Sequence, residues 1–253
     1  MDRATERGMK KGRLVLAGGA AVSLLLWVIF VLQGHCGAGE TVIDEQFEDL
    51  SEWTPVLFRD IERHSDYRIL SGQTGSFLVA RSSNSASGIK YSRRFDVYTY
   101  PVVSWRWKVD NVYAGGNVEM KSGDDYPLRV YVTFAFDPEK ASFSERLKYG
   151  LARTWYGEYP PHSTLNYIWA NRFHDKDIYQ STYTDRAKLV ILQSGNGKTG
   201  QWVQEKVDVL KDYQRAFGEK PPQTASLAIM NDSDNTGESS VSYLDYIRVM
   251  SRE

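Results

Sequence analysis

The chain of 253 residues carries 31 Lys and Arg against 32 Asp and Glu, for a net charge of −1. That balance excludes the basic footprint with which proteins grip nucleic acid or an anionic membrane surface. A single cysteine, Cys36, excludes disulfides within the chain, while 7 Trp and 16 Tyr point either to a large aromatic core or to exposed rings that stack on sugars.

At the N-terminus, Arg3, Arg7, Lys10, Lys11 and Arg13 lead into an uncharged run over 14–32, LVLAGGAAVSLLLWVIFVL. Its length is close to the ~20 residues that cross a bilayer as a helix. Only Asp2 and Glu6 oppose the basic residues, so the leading end is expected in the cytoplasm and everything after the segment outside it. The expected organisation is a basic leader over 1–13, a signal peptide or membrane anchor over 14–32, a linker over 33–40 and a β-sandwich domain over 41–253. A long apolar run favours a retained anchor, whereas Cys36-Gly37-Ala38 offers small residues for cleavage, and both outcomes stay open. His35 and Gln33 spoil the small, apolar approach that lipidation of Cys36 would need. The expected location is periplasmic, tethered to the inner membrane or released, with membrane contact through this segment alone.

Beyond the linker the pattern is mostly β. Strands are expected over 41–47, 67–70, 76–81, 87–95, 102–109, 128–136, 164–170, 187–193, 202–209, 225–230 and 240–250, separated by clusters of Gly, Asn, Asp and Ser. Many short strands with few helices predict an all-β fold, a two-sheet antiparallel sandwich of jelly-roll type. One inserted helix interrupts it: Ser142-x-x-Glu145 forms a capping box, and Phe143, Leu147 and Leu151 make an apolar stripe. A shorter helical turn is expected around 211–217, stopped by Gly218 and Pro221-Pro222.

Two strands carry the clearest alternation. In VVSWRWKV, Val103, Trp105, Trp107 and Val109 share the face expected to be buried, leaving Ser104, Arg106 and Lys108 on the other. In KSGDDYPLRVYVTFAF, Val130, Val132, Phe134 and Phe136 are expected inside, with Arg129, Tyr131 and Thr133 outside. Were these strands neighbours, Arg106, Lys108, Arg129 and Tyr131 would form one basic-aromatic surface for a carboxylate- or sulfate-bearing glycan, with Arg supplying bidentate contacts. An ordinary solvated sheet face accounts for the same residues. Lys121, Asp124 and Asp125 would rim that surface, and Asn166, Tyr167 and Trp169 would close one side. Asp124 and Asp125 are adjacent and point in opposite directions on an extended chain, so pairing with Lys121 and Arg129 suits them better than acid–base chemistry. His64, His162 and His174 stand apart from any nucleophile motif.

Two acidic spots suggest a structural calcium, with no cofactor otherwise required. Asp232-x-Asp234-x-Thr236-Gly237 matches the first half of a calcium loop, but Tyr243 stands where the bidentate Glu belongs, and a hairpin turn explains the same residues. Glu45, Glu48 and Asp245, on the opening and closing strands, are the second spot and the expected metal ligands.

The segments FEDLSEW, SWRWKVD, KSGDDYPLRVYVTF, LNYIWA and IMNDSDNTG…YLDYIRV together resemble a bacterial family catalogued as domain of unknown function 3047. The resemblance covers most of 45–250 and implies an exported β-sandwich without assigned catalytic residues. Three functional readings follow: a module binding a saccharide or other polar ligand on one sheet face, a polysaccharide hydrolase or lyase, and a structural envelope protein that contacts protein partners.

Overall fold

The computed structural model describes residues 39–72, 75–144, 146, 149 and 159–253, which belong to one compact unit. The 14–32 segment, and Glu145, Leu147 and Leu151 of the expected inserted helix, lie outside the described residues. Among the described residues no helix is long and apolar enough to cross a membrane.

In chain order the strands are β1 (Thr41–Glu45), β2 (Trp53–Val56), β3 (Asp66–Gly72), β4 (Gly75–Ser83), β5 (Ala86–Asp96), β6 (Val102–Val109) and β7 (Arg129–Phe134). Then come β8 (Ser163–Ala170), β9 (Ile178–Gln180), β10 (Ala187–Ser194), β11 (Val203–Asp208), the helix α1 (Val209–Phe217), β12 (Thr224–Asp232) and β13 (Ser239–Met250). They form a two-sheet sandwich. One sheet runs β11-β6-β13-β4-β3, with β1 also paired to β13; the other runs β2-β5-β12-β7-β8-β10-β9. Each expected strand is present within a few residues. β2 and β9 carry no sequence signal, since one contains Pro55 and the other is three residues long.

The sheets are not wholly antiparallel, contrary to expectation: β10 runs parallel to β8. After β8 the chain passes the adjoining slot, forms the edge strand β9, and returns to lay β10 between them, antiparallel to β9. Helix α1 starts on Asp208, whose carboxylate accepts from Lys211 N, and ends on Gly218 at φ 76°, a left-handed cap that a glycine adopts without steric cost.

The core lies between the sheets, and tryptophan fills its middle. Trp105 and Trp107 of β6 are fully buried, with their rings 5.6 Å apart. Trp105 packs on Tyr167 at 5.4 Å and Trp107 on Trp169 at 5.8 Å, joining β6 of one sheet to β8 of the other. Val130, Val132 and Phe134 of β7, with Ala225, Leu227 and Ile229 of β12, extend this layer. Alternation at period two therefore decides which face of each strand is left outside.

Candidate functional site

The outer face of the seven-stranded sheet is built in transverse rows, because strand register places outward residues side by side. One row reads Arg94, Ser226, Thr133 and Thr164 across β5, β12, β7 and β8. The next reads Lys90, Ala228, Tyr131 and Asn166, and the third Gly88, Met230, Arg129 and Ile168. The face divides into a roofed part and an open part.

The roofed part lies under residues 110–128. That loop brings Val118 and Tyr126 onto Ile168, Ala170 and Leu189, a second apolar cluster on the outer side of the sheet. It closes on itself at Gly123, where a Cβ would lie 2.6 Å from Asn117 N and 2.7 Å from Gly115 O, so only glycine fits. Beneath it Arg129 is buried, 4% exposed, and its guanidinium lies 4.4 Å from the Tyr126 ring centroid. Nε donates to Asp232 Oδ1 at 2.8 Å, a second nitrogen donates to Asp232 Oδ2 and to the Asp124 carbonyl, and Asp124 Oδ1 is 3.5 Å away.

Asp125, Asp232 and Asp234 meet at the same place, with carboxylate oxygens within 4.8 Å of one another. Asp125 accepts from Asn235 Nδ2 at 3.0 Å and from Thr236 N at 2.6 Å, tying the loop to the turn between β12 and β13. Burial raises Asp232, Arg129 draws it back, and the carboxylates of Asp125 and Asp124 push it up again, to about 7. Burial works against the charge on Arg129, but Asp232, Tyr131 and Asp124 outweigh that and hold its proton well above the usual arginine range. The two ends of the pair differ because one guanidinium serves several carboxylates. Asp234 is raised as well, by burial and then by Asp125. Hard oxygen donors at this spacing are compatible with a calcium-like cation, although Arg129, Asn235 and Thr236 already satisfy two of the three carboxylates.

The open part is a groove of about 660 Å³ over β2, β5, β12, β7 and β8. Its floor is made of short or hydroxylated side chains, namely Gly88, Ala228, Ser226, Thr133 and Thr164, beside Tyr131. Thr133 Oγ1 lies 2.8 Å from Ser226 Oγ, and Tyr131 OH donates to Met230 Sδ at 3.3 Å. Phe58, Phe136, Tyr159 and Pro160 form the walls, with Phe58 39% exposed. Lys90 and Arg94 enter from β5, and the described lining contains no Asp or Glu.

Of the expected site residues, Tyr131 lines this groove. The single surface joining it to Arg106 and Lys108 does not exist, because β6 and β7 belong to different sheets. Arg106 instead pairs with Asp245 at 3.0 Å and lies over Trp202, while Lys108 lies 3.9 Å from the Tyr243 ring centroid. Arg129, Asp124 and Asp125 are buried rather than surface groups. Tyr167 and Trp169 point into the core; Tyr167 OH donates to Asp212 at 3.0 Å and Trp169 Nε1 to Gly195 O at 3.1 Å. Asn166 is on the outer face but buried, and Lys121 is exposed beside Tyr183.

The expected metal ligands do not converge either. Glu45 accepts from Phe47 N and Trp53 Nε1, Asp245 holds Arg106, and Glu48 is exposed. The half calcium loop was the better signal, but its third carboxylate, Asp125, comes from across the fold. Sequence reasoning also missed Lys90, Arg94 and Ser226, although Ala225, Leu227 and Ile229 alternating in β12 mark Ser226 as outward.

Among curated proteins no relative matches this sequence. Solved structures similar to the chain include the family 11 carbohydrate-binding module of the cellulosomal cellulase Lic26A-Cel5E of Clostridium thermocellum. That match has 11% identity and a TM-score of 0.45, covering 85% of this chain and 97% of that one. The family 30 carbohydrate-binding module of Cel9D-Cel44B, also of Clostridium thermocellum, matches at 12% identity and a TM-score of 0.40, covering 84% and 99%. The CBM22-1 xylan-binding domain of Paenibacillus barcinonensis Xyn10C matches at 13% identity and a TM-score of 0.33, covering 85% and 98%. Likenesses of this size leave the site to be read from its own geometry. The family model described as "Protein of unknown function (DUF3047)" matches residues 51–248, and the chain belongs to that family.

Proposed function

We propose that this protein is a saccharide-binding β-sandwich of the cell envelope, exported by its 14–32 segment and binding in the open groove of the seven-stranded sheet. The observation that carries the reading is the composition of that groove: hydroxyls and short side chains on the floor, aromatic and proline walls at the sides. A sugar ring is amphipathic in the same way, presenting C–H faces to rings and hydroxyls to polar groups, and grooves of this size suit small ligands. A glycosidase would need two carboxylates flanking the bound sugar, at about 5–10 Å from each other. No described residue of the lining offers either one, so binding is favoured over hydrolysis.

Binding is tested by applying the full chain, held in nanodiscs of zwitterionic lipid, to a glycan array. Retention of one glycan class is expected, and Ala228→Tyr, which fills the floor, should abolish it. A folded wild-type protein that retains nothing would end the reading. Export is tested separately by fusing alkaline phosphatase after Glu253; the fusion should be active, and a stable but inactive fusion would refute export.

A further inference from the structure

The length of the groove and the spacing of its hydroxyls narrow its ligand, an inference that rests on the saccharide reading above. The lining runs from Val56 of β2 to Thr164 of β8, across strands that neighbour one another in the order β2-β5-β12-β7-β8. Neighbouring strands lie ~4.8 Å apart, so the floor is roughly 19 Å long. A second hollow of about 290 Å³ shares Pro160, Pro161 and Thr164 with it and continues to Ala187 of β10, one strand further. Along the floor Ser226, Thr133 and Thr164 form one transverse row, a hydroxyl from each of β12, β7 and β8. Aromatic walls stand beside β2 and beside β7. Phe58 follows β2 by two residues, Phe136 follows β7 by two, and the Tyr159 ring is 5.4 Å from that of Phe136. β2 and β7 are three interstrand steps apart, roughly 14 Å.

We infer that the groove takes an extended β-1,4-linked chain of about four or five sugars lying across the strands, roughly one sugar to each strand. In such a chain the rings follow one another as a nearly straight ribbon, and the step from ring to ring is close to the ~4.8 Å strand spacing. Successive rings turn over, but both edges of each ring carry oxygens, so every ring above the row can meet a hydroxyl. The C–H faces of rings near the two walls then lie against Phe58 and against Phe136 and Tyr159. A mono- or disaccharide reaches one wall and not both. An α-1,4-linked chain of the same sugar carries the same hydroxyls but coils, and so leaves the straight row.

The test is calorimetric titration of the full chain in zwitterionic nanodiscs with β-1,4-linked oligomers of glucose, xylose, mannose and N-acetylglucosamine, from two units to six, and with α-1,4-linked oligomers of glucose. At least one β-linked series should tighten about threefold or more with each added unit up to four or five and level off beyond. The α-linked series should bind at least about tenfold more weakly at equal length. Thr164→Val keeps the shape of the side chain and removes the last hydroxyl of the row. It should weaken the longest oligomers about threefold to tenfold and bring the levelling-off down by one unit, with the disaccharide held within about twofold. Affinity that stops rising at two units, α-linked chains that bind as tightly as β-linked ones, or a Thr164→Val loss equal at every length would overturn this inference while leaving the saccharide reading intact. So would a glycan retained on the array with no β-linked series bound. No oligomer bound and no glycan retained on the array would overturn both.

Discussion

The outer face of the seven-stranded sheet holds two kinds of cation within a few residues of each other. Arg129, under the 110–128 loop, is buried and shared among carboxylates; Arg94, on the uncovered part, is exposed, and among the described residues no carboxylate lines the groove beside it. Both sit on outward positions of good strands. What separates them is the roof: once a loop excludes water from a guanidinium, the charge must be met by protein groups, and a charge left in water can wait for a ligand. The first is a fastener between loop and sheet, and the second is free to recognise.

The largest test of that contrast is Arg129→Met, which strands Asp232 and Asp124 in the interior. We expect a loss of about 3–5 kcal/mol in urea unfolding, because removing one partner of a buried pair leaves the other charge uncompensated. A loss below about 1 kcal/mol would place Arg129 with the surface cations. Trp105→Ala should cost a similar amount, about 3–5 kcal/mol, by opening a cavity between Trp107 and Tyr167. It marks the scale against which the Arg129 result is read.

The roofed part should also be the pH-sensitive one. Asp232 is raised from the ordinary carboxylate range to about 7 in the folded protein. The folded state thus binds this proton more tightly than the unfolded state, so its stabilising effect is complete below the unfolded value and is lost as pH rises toward 7. In buffer with a chelator, melting at pH 5 should occur at higher temperature than at pH 8, and Asp232→Asn should flatten this difference. An unchanged slope in that variant would assign the pH response to other groups.

The open part should tolerate change. Ala228→Tyr is expected to alter unfolding by no more than about 1 kcal/mol, and Arg94→Gln by no more than about 0.5 kcal/mol, since neither removes a buried contact. A cooperative loss of several kcal/mol in Arg94→Gln would show that it, too, fastens the fold.

Much of this architecture was legible in the chain because sheet formation leaves a local signature. The alternation of Val103, Trp105, Trp107 and Val109 places both tryptophans inside, and they are there. Gly218 and the prolines after it end helix α1 where the residues suggest, while its start at Val209, capped by Asp208, falls inside the expected strand over 202–209. The same rule correctly separated Val130, Val132 and Phe134 from Arg129, Tyr131 and Thr133. It could not say that β8 and β10 run parallel, since a strand has the same side-chain period in either direction.

By itself, the sequence determined the class of fold, the strand faces and the tryptophan core, all of which depend on the spacing of apolar residues along a few neighbouring positions. Tertiary structure decided the rest. Assignment of β6 and β7 to different sheets dissolved the surface expected from Arg106 and Arg129, and no local pattern records which sheet a strand joins. The closing of 110–128 over one end of the sheet turned Arg129 into an interior charge and brought Asp125 to Asp232 and Asp234, residues more than a hundred positions away. The pairing of β5 with β12 set Lys90 and Arg94 beside Ala228 and Ser226. Burial and charge pairing are properties of what lies across space from a side chain, and local sequence specifies only what lies next to it along the chain.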